Sequence, residues 1–364
     1  MVTAEANTRV SASQHRLSNI RKAFVKVELR VLLKPVAEAL KALINRPKEV
    51  TALFQVFGDV IEATSSKEIT KNLDKFVEIF FAAFEVRKHE SDSERFELIS
   101  KCESAVIDVF LKLVDSMSDN EVKPVMESLV KWAASGLADG APLANRLRLI
   151  TVFHFANKFY DSYHSLALPY FATLFDLCPK VLISANAAKT DEKKVLFDCQ
   201  KSSPELQKLS ANELVTAVLT FLTNCAKHVD FFVRERADSV YESVVDELEN
   251  VKCHGHEERC VPLLSDCLYQ IAEAHTQLFT DEMNNRIMLK TRNSSAKVRH
   301  RTLLVIDRLL DRIGESVAPL LPNILPFLSE LLEDDNRQVE EQCDKTIRML
   351  RSKFGSEFAA EIAA

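Results

Sequence analysis

The strongest constraint in this sequence is one helix written twice near its C-terminal end. KVRHRTLLVIDRLLDRIG aligns with RQVEEQCDKTIRMLRSKFG so that Val298 falls on Val339, Thr302 on Cys343, Ile306 on Ile347, Leu309 on Leu350, Ile313 on Phe354 and Gly314 on Gly355. The apolar positions advance by four, four, three and four, which places them in one stripe of an amphipathic helix. Each copy stops at a glycine. Between the copies lies VAPLLPNILPFLSELLEDD, where Pro319 and Pro322 sit at or before a first helical turn, a place that tolerates proline because the first amides have no partner. Pro326 lies deeper and is expected to bend that helix or mark its start. Leu325, Leu328, Leu331 and Leu332 form a second stripe, closed by the acidic run Glu333 to Asp335. Such a helix pair cannot bury both stripes alone, so it has to stack on neighbours.

The remaining sequence supplies those neighbours. With six glycines in 364 residues, and 47% apolar residues, the chain is poor in turns that need positive backbone angles and rich enough to bury a large core. Residues 1–16 are polar and expected to be mobile. From Leu17 to Ile44 the pattern is helical and basic, with Arg21, Lys22, Lys26, Arg30 and Lys34 among Val25, Leu29, Leu32 and Leu33. That face is either the solvated side of the first packed helices or a docking surface for an upstream segment or an acidic partner. Phe76, Phe80, Phe81 and Phe84 read as core filling. Ser118 or Asp119 can cap the helix that follows, with Pro124 in its opening turns.

Pro169 and Pro262 repeat that device. Pro124 and Pro169 stand 45 residues apart, and Pro169 and Pro262 stand 93 apart. A period of about 40 to 47 with two helices per unit is the HEAT or armadillo pattern, so the expected fold is an all-α solenoid running through residues 17–355, with 356–364 as a tail. FVRERADSVYESVVDELEN extends the alignment, placing Val233, Ala237, Tyr241, Val244 and Leu248 on Val298, Thr302, Ile306, Leu309 and Ile313. The recurring pairs Val233-Arg234 and Val298-Arg299 suggest an arginine ladder to acidic side chains of adjacent units. Two stretches break the rhythm: 184–204, a polar loop with a short docked apolar segment at Val195 to Phe197, and the connection at 250–259.

The net charge of −6 gives no global attraction to phosphate backbones or acidic membranes. No apolar run is expected to reach the roughly 18 to 20 residues that span a bilayer, and MVTAEANTRVSASQHR has no apolar signal core. Eight scattered cysteines read as reduced interior residues rather than a disulfide framework. Phosphate-binding glycine motifs, nucleophile elbows and helical zinc-protease motifs are absent. CHGHEERC gathers Cys253, His254, His256 and Cys260 near Cys267; the spacing favours a solvated loop over tetrahedral zinc. Cys102, Cys178, Cys225 and Cys343 fall on apolar faces, where thiols are usually inert. No catalytic, metal or cofactor site is expected, and no small-molecule substrate or membrane partner. The surface candidate is electrostatic: Arg286, Lys290, Arg292, Lys297, Arg299 and Arg301, followed by Arg308 and Arg312, face only Asp307 and Asp311 in the same interval. They either neutralise the acidic residues from Glu330 to Glu341 or form a basic patch for a protein or RNA partner.

Two stretches resemble a known family. MSDNEVKPVMESLVKWA with NRLRLITVFHFANKFYDSYHSLALPYFATLFD is similar to a signature domain of the large HEAT-repeat protein of the small-subunit processome, and MNNRIMLKTRNSSAKVRHRTLL with LLPNILPFLSELLEDDNRQVEEQCDKTIRML is similar to its closing repeats. The resemblance implies the C-terminal part of a non-enzymatic scaffold in the nucleolus, acting in ribosomal RNA processing and small-subunit biogenesis and linked to ribosomal RNA synthesis. It implies as partners other processome proteins, and pre-ribosomal RNA and a box C/D small nucleolar RNA particle reached through protein contacts. CHGHEERC lies outside the family pattern. A karyopherin-like transport adaptor, built from helix pairs of the same period, is the alternative.

Overall fold

The computed structural model describes residue 23 and residues 27–89, 93–138, 140–189, 196–198, 203–251 and 257–362. Its main helices are α1 (Leu29–Leu43), α2 (Pro47–Ala63), α3 (Leu73–Phe84), α4 (Ser93–Asp115), α5 (Asp119–Ala134), α6 (Leu143–Tyr163), α7 (Ala172–Ala185), α8 (Pro204–Ala226), α9 (Arg234–Asp246), α10 (Glu257–Ala274), α11 (Asn284–Leu289), α12 (Ala296–Ile313), α13 (Leu321–Leu331) and α14 (Arg337–Ile362). Among the described residues, β-structure is confined to a parallel pairing of Ala141–Pro142 with Phe197–Asp198. This is the all-α fold of packed helix pairs that the repeat demands. The chain divides into two compact units, one of Met1–Ser135 with Leu147–Lys158, the other of Gly136–Arg146 with Phe159–Ala364.

The first unit is built on aromatic rings. Phe54, Phe57, Phe76, Phe80, Phe84 and Phe110 are each at most 2% exposed, and the Phe80 and Phe110 centroids are 4.7 Å apart. Phe76, Phe80 and Phe84 are therefore core, as the pattern indicates, whereas Phe81 is only half-buried, beside Trp132. Gly58 lets α2 approach α4 closely, because a side chain there would meet Val109. Ser118 is the cap of α5, in a reciprocal capping box with Glu121, whose carboxylate accepts from the Ser118 amide at 2.8 Å.

In the second unit, α8, α10, α12 and α14 pack side by side in one layer, while α7, α9, α11 and α13 form the other. This corrects the phase of one alignment. Arg234–Asp246 belongs to the layer opposite Ala296–Ile313, so the match between them pairs two different halves of the repeat. The physical reason is that both layers turn an apolar stripe inward, and helical periodicity reports the stripe without saying which layer carries it. The prolines also sort differently from their spacing. Pro124, Pro262 and Pro326 are interior to α5, α10 and α13. Pro169 and Pro319 instead lie in 3-10 segments, His164–Phe171 and Gly314–Leu320, that lead into α7 and α13.

Those two segments are near copies. Each follows a long helix and begins with a left-handed residue: Gly314 at φ 67° and His164 at φ 50°. Glycine enters this region without strain, whereas a side chain there is strained. Gly355 takes the same conformation at φ 50°, and helical backbone resumes beyond it to Ile362.

One expectation about apolar runs needs correction. An 18-residue window within Leu143–Ala185 reaches a mean hydropathy of 1.5, long and apolar enough to span a bilayer by composition alone. In the fold this stretch is interrupted at His164 and Pro169. Leu149, Ile150, Val152, Phe153 and Phe155 are all 0% exposed, so its apolar composition serves helix packing.

Candidate functional site

The basic residues singled out from the sequence lie on α11, α12 and the short turn between them. Arg286 and Lys290 project from neighbouring turns of α11 and its extension onto the C-terminal end of α9. Lys290 Nζ stands 2.6 Å from Asp246 and 2.8 Å from Glu249, and Arg286 bridges Glu242 at 3.1 Å and Asp246 at 3.3 Å. Lys189 adds a third cation, 3.6 Å from Asp246. Burial raises the Asp246 pKa, but the hydrogen bond and charge of Lys290, with Arg286 and Lys189, outweigh it and hold the carboxyl below its ordinary value.

Arg292 grips Glu330 with two nitrogens, Nε at 2.8 Å, and lies 4.3 Å from the Phe327 ring centroid. Arg299 makes a bidentate pair with Asp334, both contacts at 2.7 Å. This planar fork is the geometry guanidinium and carboxylate favour, and it depresses the Asp334 pKa while raising that of Arg299. Arg234, the other arginine of the recurring Val-Arg pair, reaches Glu282 at 3.0 Å. The arginine ladder inferred from sequence is thus present in the second unit. Arg312 continues it, pairing with Asp266 and stacking 3.8 Å over Tyr269.

Lys297 and Arg301 behave differently. Lys297 is exposed and makes no ion pair among the described residues. Arg301 is 1% exposed, and its Nε and Nη1 atoms have no hydrogen-bond partner among the described residues. It lies three residues after Val298 and four before Val305, both buried, so the helical phase carries it inward. The sequence brings these six cations into one interval; the structure turns four onto carboxylates, one to solvent and one into the interior.

Sequence reasoning missed two polar nodes. In the first unit, Arg87 and Glu103, each 1% exposed, form a bidentate pair at 2.6 and 2.7 Å. His154 Nδ1 lies 2.8 Å from the same carboxylate, and Thr151 donates to it. Burial works against ionisation of Glu103, yet Arg87 and His154 hold its carboxyl well below the usual range. In the second unit, Asn250 is 0% exposed. It accepts from the Ala187 amide at 3.0 Å and donates to Ala185 O at 3.3 Å and to Glu247 at 2.8 Å, while Asn186 donates to Asp246 O at 2.9 Å. The ends of the two irregular connections are thereby tied together. Both nodes join residues dozens of positions apart, so neither leaves a local motif.

The docked segment within 184–204 is also visible. Leu196 and Phe197 are buried, the Ala141 amide donates to Leu196 O at 2.9 Å, and Arg146 lies 5.0 Å over the Phe197 ring. Cys253, His254 and His256 lie outside the described residues, while Cys260 and Cys267 are buried. Among the described residues no group of three or more His, Cys, Asp or Glu side chains could hold a metal ion. Burial pushes the thiols of Cys267 and Cys343 up to about 12, keeping them protonated and poorly nucleophilic.

Residues 68–232 match the model of the BP28CT (NUC211) domain. The chain is 38% identical, over 94% of its length, to HEAT repeat-containing protein 1 homolog from Caenorhabditis elegans, and covers 21% of that protein. It is 28% identical to HEAT repeat-containing protein 1 from Homo sapiens over 97% of its length, covering 16% of it. It is 23% identical to U3 small nucleolar RNA-associated protein 10 from Pyricularia oryzae over 99% of its length, covering 19% of it. The chain therefore spans about a fifth of the length of these relatives. The BP28CT match and these relatives, which between them cover most of the chain, are consistent with the C-terminal region of HEAT repeat-containing protein 1 and its homologues.

Proposed function

We propose that the chain is a non-enzymatic scaffold element of the nucleolar small-subunit processome, serving ribosomal RNA processing and small ribosomal subunit biogenesis, with a link to ribosomal RNA transcription. The observation that carries this reading is similarity along 99% of the chain to a protein named for its association with U3 small nucleolar RNA. Its work is to present helix edges to other processome proteins, and it reaches pre-ribosomal RNA and the box C/D particle through them.

The surface at Arg286, Lys290, Arg292, Lys297, Arg299 and Arg301 supports a protein partner over a phosphate backbone. Four of its cations already face carboxylates, so a phosphate would have to displace them, and its affinity would fall steeply with salt. A mixed-charge surface suits a protein partner with alternating charges. The test is recovery of the tagged chain from nuclear extract, with and without RNase. Processome proteins retained after RNase treatment are the expected result. Their loss on RNase treatment would transfer the contact to RNA. Recovery of a small GTPase with import cargo would replace this function with the karyopherin-like adaptor.

A further inference from the structure

In the second unit, the extended segment at Leu196 and Phe197 lies in a seat whose polar groups are held in place without it. The Ala141 amide donates to Leu196 O at 2.9 Å and shares the same hydrogen with Ala138 O, also at 2.9 Å. Arg146, 5.0 Å from the Phe197 ring centroid, is held independently by Gln207 O at 3.1 Å and Ser210 Oγ at 3.3 Å. Ser184 Oγ of α7 accepts from the Leu196 amide at 3.2 Å. Lifting the segment out therefore leaves the Ala141 amide and the Arg146 guanidinium with hydrogen-bond partners. What is lost is chiefly the burial of two apolar side chains. A seat organised beforehand needs little further ordering when an occupant arrives.

The occupant shows what the seat accepts. Its backbone pairs in parallel, Ala141 with Phe197 and Pro142 with Asp198, which is how an extended peptide adds to an open strand edge. Successive side chains of an extended chain point to opposite faces, yet Leu196 and Phe197 are 8% and 3% exposed. The seat thus covers both faces of the segment. It selects an aliphatic residue followed directly by an aromatic one, not the alternating pattern of an ordinary edge strand.

We propose that this seat is an exchangeable peptide site. Leu196 and Phe197 fill it in cis, and an extended segment of a partner protein carrying the same aliphatic–aromatic pair replaces them in trans. The site stands independently of the assembly proposed above. A tethered occupant competes at high effective concentration, so the cis segment is a built-in competitor that only a well-matched partner segment displaces.

The test uses the full chain and a fluorescent peptide spanning Lys194 to Gln200, with serine in place of Cys199. Leu196→Gly with Phe197→Gly empties the seat. In fluorescence anisotropy the emptied chain is expected to bind the peptide at least about tenfold more tightly than the unaltered chain, because the tethered competitor is gone. The unaltered chain is expected to bind it weakly but saturably. A peptide with alanine at both apolar positions is expected to bind neither. A photoreactive analogue at the phenylalanine position should label residues 138–146 or 203–210 in both chains, mapped by mass spectrometry. No binding to the emptied chain, equal binding of the two peptides, labelling elsewhere, or no saturable binding to the unaltered chain would each overturn the proposal. Loss of the cooperative thermal transition in the emptied chain would show that Leu196 and Phe197 are fixed core, and would overturn it too.

Discussion

Arg87 in the first unit and Arg301 in the second are buried to the same 1% exposure, yet their surroundings are opposite. Arg87 meets a carboxylate with both arms of its fork, donates to Ser100 at 3.2 Å and lies 5.3 Å from the Phe96 ring. Arg301 has two nitrogens with no hydrogen-bond partner among the described residues. Removing a guanidinium from water is costly, and only good geometry with further hydrogen bonds offsets that cost. The comparison separates burial that organises a core from burial that merely follows helical phase.

The largest expected effect breaks the first member of this comparison. Glu103→Ala leaves Arg87 buried and uncompensated, and should destabilise the protein by about 3–5 kcal/mol, read from the urea unfolding midpoint. A change under about 1 kcal/mol would mean that the pair adds nothing beyond its desolvation cost. The same pair predicts an acid limb. The folded-state pKa of Glu103 is lowered, so its stabilisation is complete above the unfolded value of about 4.3 and lost as pH falls through the folded value. Stability measured between pH 5 and pH 2 should fall less steeply in Glu103→Gln than in the unaltered chain, and equal slopes would refute the assignment.

Arg301 should respond with the opposite sign. Arg301→Met keeps the aliphatic stem and removes the unpartnered charge, and should leave stability unchanged or raise it by about 1–4 kcal/mol. A loss of similar size in thermal unfolding would show that Arg301 has a counter-charge. The smallest effect belongs to an exposed ladder arginine: Arg292→Ala should leave the unfolding midpoint within experimental scatter, because the Arg292–Glu330 pair is half exposed on both sides and screened by water. A clear drop there would make the ladder a stability device on a par with the buried pair.

His164 and Gly314 sharpen the same lesson for the backbone. Both occupy the left-handed position before a 3-10 segment, and the glycine copy was legible because its sequence announces the turn. The histidine copy was not, since nothing in HSLALPYF marks a positive φ. The helix stripe through Val298, Thr302, Ile306 and Leu309 was legible for a like reason: local spacing fixes one helical face.

Much of the candidate surface was legible only in part. The cations from Arg286 to Arg301 and the acids after Glu330 were visible as opposing charge, and the Val-Arg pair pointed to a ladder. Which carboxylate each cation meets depended on side-chain reach between helices 35 to 48 residues apart in sequence.

By itself, the sequence determined that the chain is helical, where its apolar stripes run, that repeats must stack, and which family it resembles. Periodicity, glycine scarcity and motif similarity are local properties of the chain and survive without coordinates. Tertiary structure decided which layer each helix joins, which arginines face carboxylates and which stay unpartnered, and how Asn250 binds two loops into one node. Those outcomes depend on distances between segments remote in sequence, and both layers of a helix-pair stack present the same inward stripe to any reading of the chain alone.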